Sequence, residues 1–389
     1  MTYLADLHVH VGINEEGRWI KIPSTKKLTV RNILNTAKNE VGLDVVGIID
    51  ALSPLVQKDI KNLIKEGELA PLQNGGYIYE DKLLVVLGGE VETREPHGGL
   101  AHSLLFLPTV DDMLSLSREL SAHIKNINMS SQNAHMSLAE LYAIAFAHSA
   151  KIVPAHVFTP FKSVYGNCTD RIANILPEQE KYITAIELGL SSDTFLADRI
   201  DELSVYSYLT NSDAHSLQNI AREFNKIDIK NNLDYKNLFL AIEGKAGNIV
   251  ENYGLNPAMG KYYLTRCSAC GNDADYTEIK CSSCGGRIVR GVKERIDEIA
   301  DKSRYTSPET RAVYRYHMPL CEIPGIGKKT IDKIYFEKFT QLEVLYDINE
   351  EVLKKLIGNR AAANVMQIRK GDFYINCGGA GKYGHVIIN

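Results

Sequence analysis

Short apolar segments alternate with helical patterns along residues 1–250. Each apolar segment has the length of a β-strand: YLADLHVHV, VVGIID, LLVVLGGE, HSLLFLP, KIVPAH, AIELG and SYLTNSD. Apolar strands separated by helices are typical of an α/β protein in which helices cover both faces of a parallel sheet or barrel. We therefore predict an α/β fold for this part of the chain.

Capping and turn residues predict where two helices and one hairpin turn lie. Thr29 can cap a helix that runs from Val30 to about Val41 and stops before Gly42. The run Ser137-Leu-Ala-Glu140 is a capping box for a helix that reaches about Ser149. Asn74-Gly75 predicts a tight hairpin turn between two strands.

The chain divides into three segments by pattern. Residues 1–256 form the predicted α/β domain, and residues 257–292 form a cysteine-containing module. In residues 293–389 the pattern is helical from Glu294 to about Lys370, and the tail YINCGGAGKYGHVIIN predicts two short strands around a glycine-rich turn.

Net charge gives a first indication about partners. The chain carries 44 Lys+Arg and 48 Asp+Glu, a net charge of −4, which argues against a strongly basic DNA-binding protein. However, residues 257–389 hold 21 basic and 16 acidic side chains, so this part has a net charge of +5 and residues 1–256 have −9. Such asymmetry points to a polyanionic partner for the C-terminal part.

Neither a membrane span nor a secretory signal is expected. No apolar run approaches the roughly 18 residues that a membrane helix needs, and the first residues, MTYLADLHVH, lack a basic region before an apolar core. We expect a cytoplasmic, nucleoid-associated protein.

Four of the seven cysteines form two C-x-x-C pairs. Cys267 and Cys270 make the first pair, and Cys281 and Cys284 make the second. This spacing is typical of a four-thiolate structural zinc site, whereas disulfides are unfavoured in a reducing compartment. We predict that a zinc ion drives the folding of this module. The remaining cysteines are expected to be inert: Cys168, Cys321 and Cys377.

Histidine and acidic residues cluster at the ends of the predicted strands. Asp6, His8 and His10 alternate on the first strand, so their side chains share one face. Six more lie at the ends of later strands: Asp50, Glu90, His102, His156, Asp213 and His215. In a parallel α/β barrel such ends form the face that carries active sites. Imidazoles and carboxylates together suit two or three divalent ions, Zn²⁺, Mn²⁺ or Mg²⁺, arranged for phosphoryl chemistry.

Several motifs, in order, resemble the metal motifs of the PHP (polymerase and histidinol phosphatase) family. They are Asp6-Leu-His-Val-His10, Gly-Gly-Glu90, Pro-Ala-His156 and Asn-Ser-Asp213-Ala-His215. Over residues 1–250 the resemblance implies a PHP-type distorted (β/α)7 barrel with a polynuclear metal site. Two positions depart from the family pattern. Asp50-Ala51 stands where Asp-His is common, and Glu15-Glu16-Gly17 occupies the region of a further histidine.

The C-terminal segment contains a run that resembles a helix-hairpin-helix motif. In it, Pro324-Gly325-Ile326-Gly327 turns tightly before Lys328 and Lys329. Backbone N–H groups at the start of the next helix would bind a phosphate without reading sequence. The alternative is an ordinary turn between two core helices.

Arginine and tyrosine interleave over residues 304–317, including Arg315. They suit stacking with unpaired bases. They equally suit a solvated helix face with its tyrosines anchored in the core.

The order of a PHP-like domain, a four-cysteine module and a DNA-binding region resembles the endonuclease Q family. Glu187-Leu-Gly-Leu-Ser-Ser-Asp193 and His156-Val-Phe-Thr-Pro160 add to the resemblance, which spans most of the chain. It implies nicking of double-stranded DNA on the 5′ side of deaminated bases (uracil, hypoxanthine, xanthine) and abasic sites. The residue pattern by itself indicates a metal-dependent phosphoesterase with a DNA-binding appendage.

Specific residues receive roles under this hypothesis. His8, Glu90 and Asp213 are the catalytic candidates, with Glu90 as the bridge between ions. The predicted ligands are His8, His10, Asp50, Glu90, His102, His156, Asp213 and His215. Asp6, Glu187 and Asp193 are expected to orient ligands. Gly325, Gly327, Lys328, Lys329 and Arg315 are expected to contact DNA, and Arg18, Trp19, Phe161 and Tyr165 to line a base pocket.

Two other functions fit parts of the pattern. A small-molecule phosphatase would share the metal chemistry but would not need the cysteine module or the hairpin. A non-catalytic DNA-binding protein would not need the ligand set. A sliding clamp is a conceivable partner for which the sequence carries no signal.

Overall fold

A mixed sheet of ten strands organises the chain in the computed structural model, which describes residues 1–371 and 373–387. The described residues form ten strands in this sheet and six in three two-stranded sheets. In chain order they are β1 (Thr2–Val9), β2 (Val45–Ile48), β3 (Leu69–Pro71), β4 (Tyr77–Tyr79), β5 (Leu83–Arg94), β6 (Leu100–Leu107), β7 (Lys151–Pro154), β8 (Ile186–Glu187), β9 (Tyr208–Leu209), β10 (Phe224–Ile229), β11 (Gly247–Gly254), β12 (Arg266–Cys267), β13 (Ile288–Val289), β14 (Val313–Tyr316), β15 (Tyr374–Asn376) and β16 (His385–Ile387). The large sheet runs β14-β11-β10-β1-β2-β5-β4-β3, with β6 beside β5 and β7 beside β6.

Helices occupy the connections. They are α1 (Val30–Asn35), α2 (Pro54–Lys65), α3 (Val110–Leu120), α4 (Leu138–Ala147), α5 (Thr194–Ala197), α6 (Tyr235–Ile242), α7 (Val292–Ile299), α8 (Lys328–Phe336), α9 (Glu350–Ile357) and α10 (Asn359–Lys370). No helix in the described part of the chain combines the length and the apolarity needed to cross a membrane.

The predicted α/β architecture is confirmed, but the sheet is not wholly parallel. β1 runs parallel to β2, and β2 runs parallel to β5. β6, in contrast, is antiparallel to both β5 and β7. Residues 95–99 alone connect β5 to β6, and so short a connection can only turn the chain back on itself.

Seven strands lie in a ring: β1, β2, β5, β6, β7, β8 and β9. Their ladders do not close into a continuous barrel, because β8 and β9 form a separate parallel pair. Isolated hydrogen bonds rather than ladders span the two gaps. Thr184 N–H donates to the Ile152 carbonyl at 2.8 Å; across the other gap His10 N–H donates to the Ala214 carbonyl at 3.0 Å and Ala214 N–H to the His8 carbonyl at 3.2 Å. The mouth of the ring is its end at the carboxyl terminus of β1.

Alternation along β1 separates the core from the polar mouth. Ala5 and Leu7 pack in one apolar cluster with Leu238 of α6. Asp6 and His8 point to the opposite face and are fully buried. The period of two on this strand thus delivers acidic and imidazole side chains to the interior of the ring.

The predicted caps are present. The Thr29 hydroxyl accepts from the backbone of α1, which continues as a π-helical turn over Thr36–Val41 and ends at Gly42, whose φ is 96°. Ser137 forms a reciprocal capping box with Glu140 at the start of α4. In the tail, β15 and β16 pair antiparallel as expected.

The C-terminal segment is not purely helical, which corrects the expectation for residues 294–370. β14 joins the edge of the large sheet, parallel to β11. The three-segment division of the chain stays a prediction, since β14 of the third segment extends the sheet of the first.

Arg311 anchors this added strand to the ring. Its guanidinium forms an ion pair with Asp198 at 2.8 Å and lies 3.6 Å from the centre of the Tyr208 ring. Both charged side chains are buried, and the Tyr314 hydroxyl donates inside the fold to the Leu255 carbonyl at 3.2 Å. Arg311 and Tyr314 thus fit the core interpretation of the interleaved run, with Tyr314 on a strand rather than a helix, whereas Tyr305 and Tyr316 are about half exposed.

Removing the Arg311 side chain should destabilise the whole fold. Arg311→Ala leaves the Asp198 carboxylate buried without its partner, which typically costs about 3–5 kcal/mol of unfolding free energy. The matched control is Lys302→Ala, because Lys302 pairs with Asp201 at the surface and should cost less than about 1 kcal/mol. Urea unfolding followed by circular dichroism measures both, and equal losses would contradict the anchoring role.

Candidate metal centre

Three predicted ligands meet at the mouth of the ring. His8 Nε2 lies 3.2 Å from His10 Nε2, and the Asp213 Oδ1 atom lies 3.5 Å and 3.3 Å from these two nitrogens. Ligand atoms about 2.1 Å from one tetrahedral ion stand about 3.4 Å apart. The three side chains can therefore hold one ion.

A second group lies beside the first. Glu90 Oε1 is 2.7 Å from His102 Nδ1 and 3.3 Å from His156 Nε2. The same carboxylate lies 3.8 Å from His8 Nε2 and 3.6 Å from His10 Nε2. Glu90 thus stands between two groups that can each hold an ion. Because β6 is antiparallel to β5, the start of β6, where His102 lies, meets the same mouth.

Two carboxylates lie behind the imidazoles. Glu187 contacts His8 Nδ1 at 3.0 Å, and Asp50 contacts His10 Nδ1 at 3.1 Å. Each carboxylate can accept a proton from Nδ1, which leaves the Nε2 atoms of the two rings directed at one point, where a cation can lie. Asp50, expected as a ligand, takes the same supporting position as Glu187 and belongs to neither ligand group.

Other features of the donor set fit bound cations. Burial disfavours a charged imidazole, but the carboxylates of Glu187, Asp213 and Glu90 outweigh it and raise the pKa of His8 to about 10. Burial would raise the pKa of Glu90, yet His102 and Lys21 hold it well below its usual range. The Nδ1 atom of His156 is buried without a hydrogen-bond partner. The centre therefore attracts positive charge strongly.

His215 borders the centre outside both groups. Its Nδ1 contacts the Asp213 carbonyl at 2.9 Å, and its ring centre lies 4.6 Å from that of His10. Burial and the nearby His10 lower the pKa of His215 to about 4, so the ring stays neutral. A neutral imidazole at the mouth is available as an additional ligand.

Backbone strain positions two of the ligands. His156 and Asp213 adopt φ angles of 32° and 47°, a region that costs non-glycine residues about 1–3 kcal/mol. The Asp6 carboxylate stabilises the turn before Asp213 by accepting from Ser212 N at 3.1 Å and Ala221 N at 2.9 Å. Gly189 is required beside His156, because a Cβ there would lie 2.8 Å from the His156 Cβ. Asp6 therefore orients the ligand turn rather than an imidazole.

Asp193 lies outside the centre, which corrects its expected role. Its carboxylate caps α5 by accepting from Leu196 N at 2.8 Å and accepts from the Tyr316 hydroxyl at 3.0 Å. Helix capping explains this position without reference to a metal.

A cavity of about 480 Å³ opens beside the ligands. Phe161 lines it, as predicted, together with Tyr262, Tyr383 and Lys261 from beyond residue 256. Arg222 joins the wall to the centre: it donates to the Ser212 carbonyl at 2.7 Å, the Asp213 carbonyl at 3.1 Å and the Tyr383 hydroxyl at 3.1 Å.

The other three predicted wall residues do not line this cavity. Tyr165 is fully buried and donates to Glu202 at 2.7 Å. Arg18 and Trp19 lie on the exposed side of their loop. Proximity to a metal motif in sequence was therefore a poor guide to the cavity.

The four paired cysteines converge. Cys267 Sγ lies 3.5 Å from Cys284 Sγ, and Cys270 Sγ lies 3.7 Å from Cys281 Sγ. A four-thiolate zinc tetrahedron has edges of about 3.8 Å. Backbone N–H groups of Cys270 and Ala269 lower the pKa of the Cys267 thiol to about 6, which favours the metal-binding thiolate. These sulfurs can hold one ion.

The glycine turn before α8 is exposed, but the motif is shorter than expected. Gly325 has a φ of 89°, and Lys328 and Lys329 are exposed in the first turn of α8. Only a single 3₁₀ turn, Leu320–Glu322, precedes it. Two consecutive helices, α9 and α10, follow and are joined at Gly358. Arg315, on β14, pairs with Glu251, so part of its charge is already compensated.

Known proteins are similar to this chain over nearly its whole length. No protein-family model matches it. The uncharacterized protein YqxK of Bacillus subtilis is 38% identical over 387 residues, which cover 98% of each chain. The lesion-specific endonuclease PfuEndoQ of Pyrococcus furiosus has a similar structure, with a TM-score of 0.84 and 30% identity, covering 100% of this chain and 96% of that one. The chain belongs to the endonuclease Q family.

A second endonuclease Q structure, in complex with a 27-mer duplex substrate with an abasic lesion at the active site, gives a TM-score of 0.86 at 29% identity. The match covers 100% of this chain and 97% of that one. Like the family, this protein is a hydrolase that acts on phosphodiester bonds.

Sequence reasoning missed several groups around the centre of this endonuclease Q family member. They are Lys21, Glu92, Ser131, Arg222, Lys261, Tyr262 and Tyr383. None belongs to a motif with fixed spacing, and Arg222 meets Tyr383 across 161 residues of chain. Only the fold brings such residues together.

Glu187→Gln should weaken ion binding at the centre. The amide keeps the size of the side chain but loses the charge that supports His8, and such losses typically cost 10–100-fold in metal affinity. Calorimetric titration of the chelator-treated protein with Mn²⁺ measures the change. The control is Glu178→Gln, an exposed residue for which the affinity should not change; equal affinities for the two variants would contradict the supporting role.

Proposed function

We propose that this endonuclease Q family member is a DNA repair enzyme that cuts the phosphodiester bond on the 5′ side of deaminated bases and abasic sites in double-stranded DNA. The observation that carries the proposal is the pair of ligand groups beside a cavity of about 480 Å³, a size typical of small-molecule sites. The likeness to an endonuclease Q bound to a duplex with an abasic lesion supports it.

The ligands take distinct roles in this proposal. His8, His10 and Asp213 would hold one divalent ion, and Glu90, which lies between the two groups, would hold another with His102 and His156. Such ions, Zn²⁺, Mn²⁺ or Mg²⁺, would supply an activated water and compensate the charge of the leaving 3′-oxygen. Asp50 and Glu187 fix the imidazole rings, and His215 is an additional ligand at the mouth. The cysteine module binds a structural Zn²⁺.

The cavity beside the ions receives the lesion. A base that is flipped out of the duplex can stack on the rings of Phe161, Tyr262 or Tyr383. Deamination replaces an exocyclic donor with an acceptor carbonyl, so backbone N–H donors can discriminate a deaminated base. Arg222 and Lys261 place positive charge at the rim, where the flanking phosphates would lie.

The C-terminal region binds the backbone of the duplex. Gly325 and Gly327 expose backbone N–H groups at the start of α8, and Lys328 and Lys329 add charge there. The second turn, at Gly358, lies close by, since Asn364 of α10 donates to the Pro324 carbonyl at 2.7 Å. Two adjacent turns can bind phosphates of one strand, with Arg315 as a further contact.

Labelled duplexes test the activity directly. Duplexes with one uracil, hypoxanthine or abasic site should be nicked on the 5′ side of the lesion, an undamaged duplex should stay intact, and a chelator should stop the reaction. Asp213→Asn, which tolerates the left-handed backbone, should lower nicking more than about a hundredfold, since loss of a supporting residue alone costs 10–100-fold, and should keep DNA binding.

Asp111→Asn, an exposed residue on α3, is the control and should nick as the unchanged protein does. Retained nicking by Asp213→Asn would contradict its role as a ligand. Hydrolysis of free sugar phosphates without any nicking would overturn the proposed substrate class.

Replacing Lys328 and Lys329 together by Ala should weaken DNA binding and flatten its salt dependence. The slope of log affinity against log salt concentration is negative, and each lost phosphate contact reduces its magnitude by about 0.9. Fluorescence anisotropy at several salt concentrations gives this slope. The control pair is Lys230 and Lys236, exposed at the opposite end of the ring, and an equal effect of both double variants would argue against a phosphate site at α8.

A further inference from the structure

Lys21 brings a fixed positive charge into the metal centre. Its Nζ atom lies 3.2 Å from Glu90 Oε2, 3.3 Å from His10 Nε2 and 2.5 Å from Ser131 Oγ. Only 12% of the side chain is exposed. One nitrogen and two oxygens therefore surround the ammonium group in the way that protein ligands surround a bound cation.

The loop that carries Lys21 is held in place on both sides. Ile20 is fully buried, its N–H donates to the Gly12 carbonyl at 2.8 Å, and its carbonyl accepts from Ser130 N at 2.8 Å. The Lys21 carbonyl accepts from the Ser24 hydroxyl at 2.7 Å. The ammonium group is thus delivered by an ordered backbone rather than by a long side chain in solvent.

The charges of the centre balance with two ions but not with three. Four carboxylates contact its imidazoles, of which the first three are buried and the last is partly exposed, namely Asp50, Glu90, Glu187 and Asp213. Glu92 also contacts His102, but Lys162 compensates it at 2.7 Å. Two divalent ions neutralise the four carboxylates, and Lys21 then leaves one positive charge, which matches one phosphodiester. A third divalent ion would leave a large excess of buried positive charge.

We propose that the ammonium group of Lys21 occupies the position of a third metal ion and thereby limits the metal centre to two metal ions. This inference rests on the proposed function, because it assumes that the two ligand groups bind ions. It assigns Lys21 a positioning role as well: the ammonium holds Glu90 Oε2, so that Oε1 faces His102 and His156.

Metal content measures this role without reference to activity. The full-length protein, and variants, are treated with chelator, reconstituted with Mn²⁺ while the cysteine module keeps its zinc, and analysed by mass spectrometry of the elements. The unchanged protein should hold one zinc and two manganese ions. Lys21→Met, which keeps the length of the side chain but not its charge, should hold a third manganese ion. Lys21→Arg should keep two.

The control is Lys27→Met, an exposed lysine of the same loop, which should keep two manganese ions. Three manganese ions in the unchanged protein would overturn the role of Lys21 and leave the proposed function intact, and this measurement does not depend on the folding of any variant. Two ions in a folded Lys21→Met protein would also overturn it. The absence of bound manganese from the unchanged protein would instead contradict the proposed function.

Discussion

The mutual repulsion of four carboxylates around two imidazole nitrogens that lie 3.2 Å apart is the constraint on which this structure depends. A proton on His8 and the ammonium group of Lys21 offset part of this repulsion, and bound divalent cations would offset more of it. The ring of strands converges on this point. The polar face of β1, the strained turns at His156 and Asp213, and the antiparallel β6 all deliver donors to one mouth.

The distribution of charge follows from the same centre. The acidic excess of residues 1–256 includes the carboxylates of the candidate metal centre, so formal charge would understate the positive potential at the mouth once cations are bound. The basic excess lies in the segment that carries the exposed turn at Gly325. A net charge of −4 therefore says little about affinity for DNA, because the acidic and the basic excess lie in different parts of the chain.

Local pattern predicted much of the fold and several of the side chains that meet at the candidate metal centre. Period-two alternation placed Asp6 and His8 correctly, and caps at Thr29 and Ser137 gave helix starts, because these signals act within a few residues. Asp50 was expected as a ligand, since nothing in its strand tells whether a carboxylate meets an ion or the far side of an imidazole. β14 was expected as helix, because a short strand at the sheet edge is specified by β11 rather than by its own periodicity. Lys21 carries no sequence signal, because its meaning depends on Glu90 and Ser131.

The addition of β14 to the sheet has a consequence for dissection of the chain. A fragment that ends at residue 256 would leave β11 as the edge of the sheet, with its row of backbone hydrogen-bonding groups open along residues 251–254. Open edges of this kind template pairing with other chains and promote aggregation. The segment that bears the exposed turn at Gly325 thus also covers an edge of the sheet, so removing it would expose that edge as well as remove the turn.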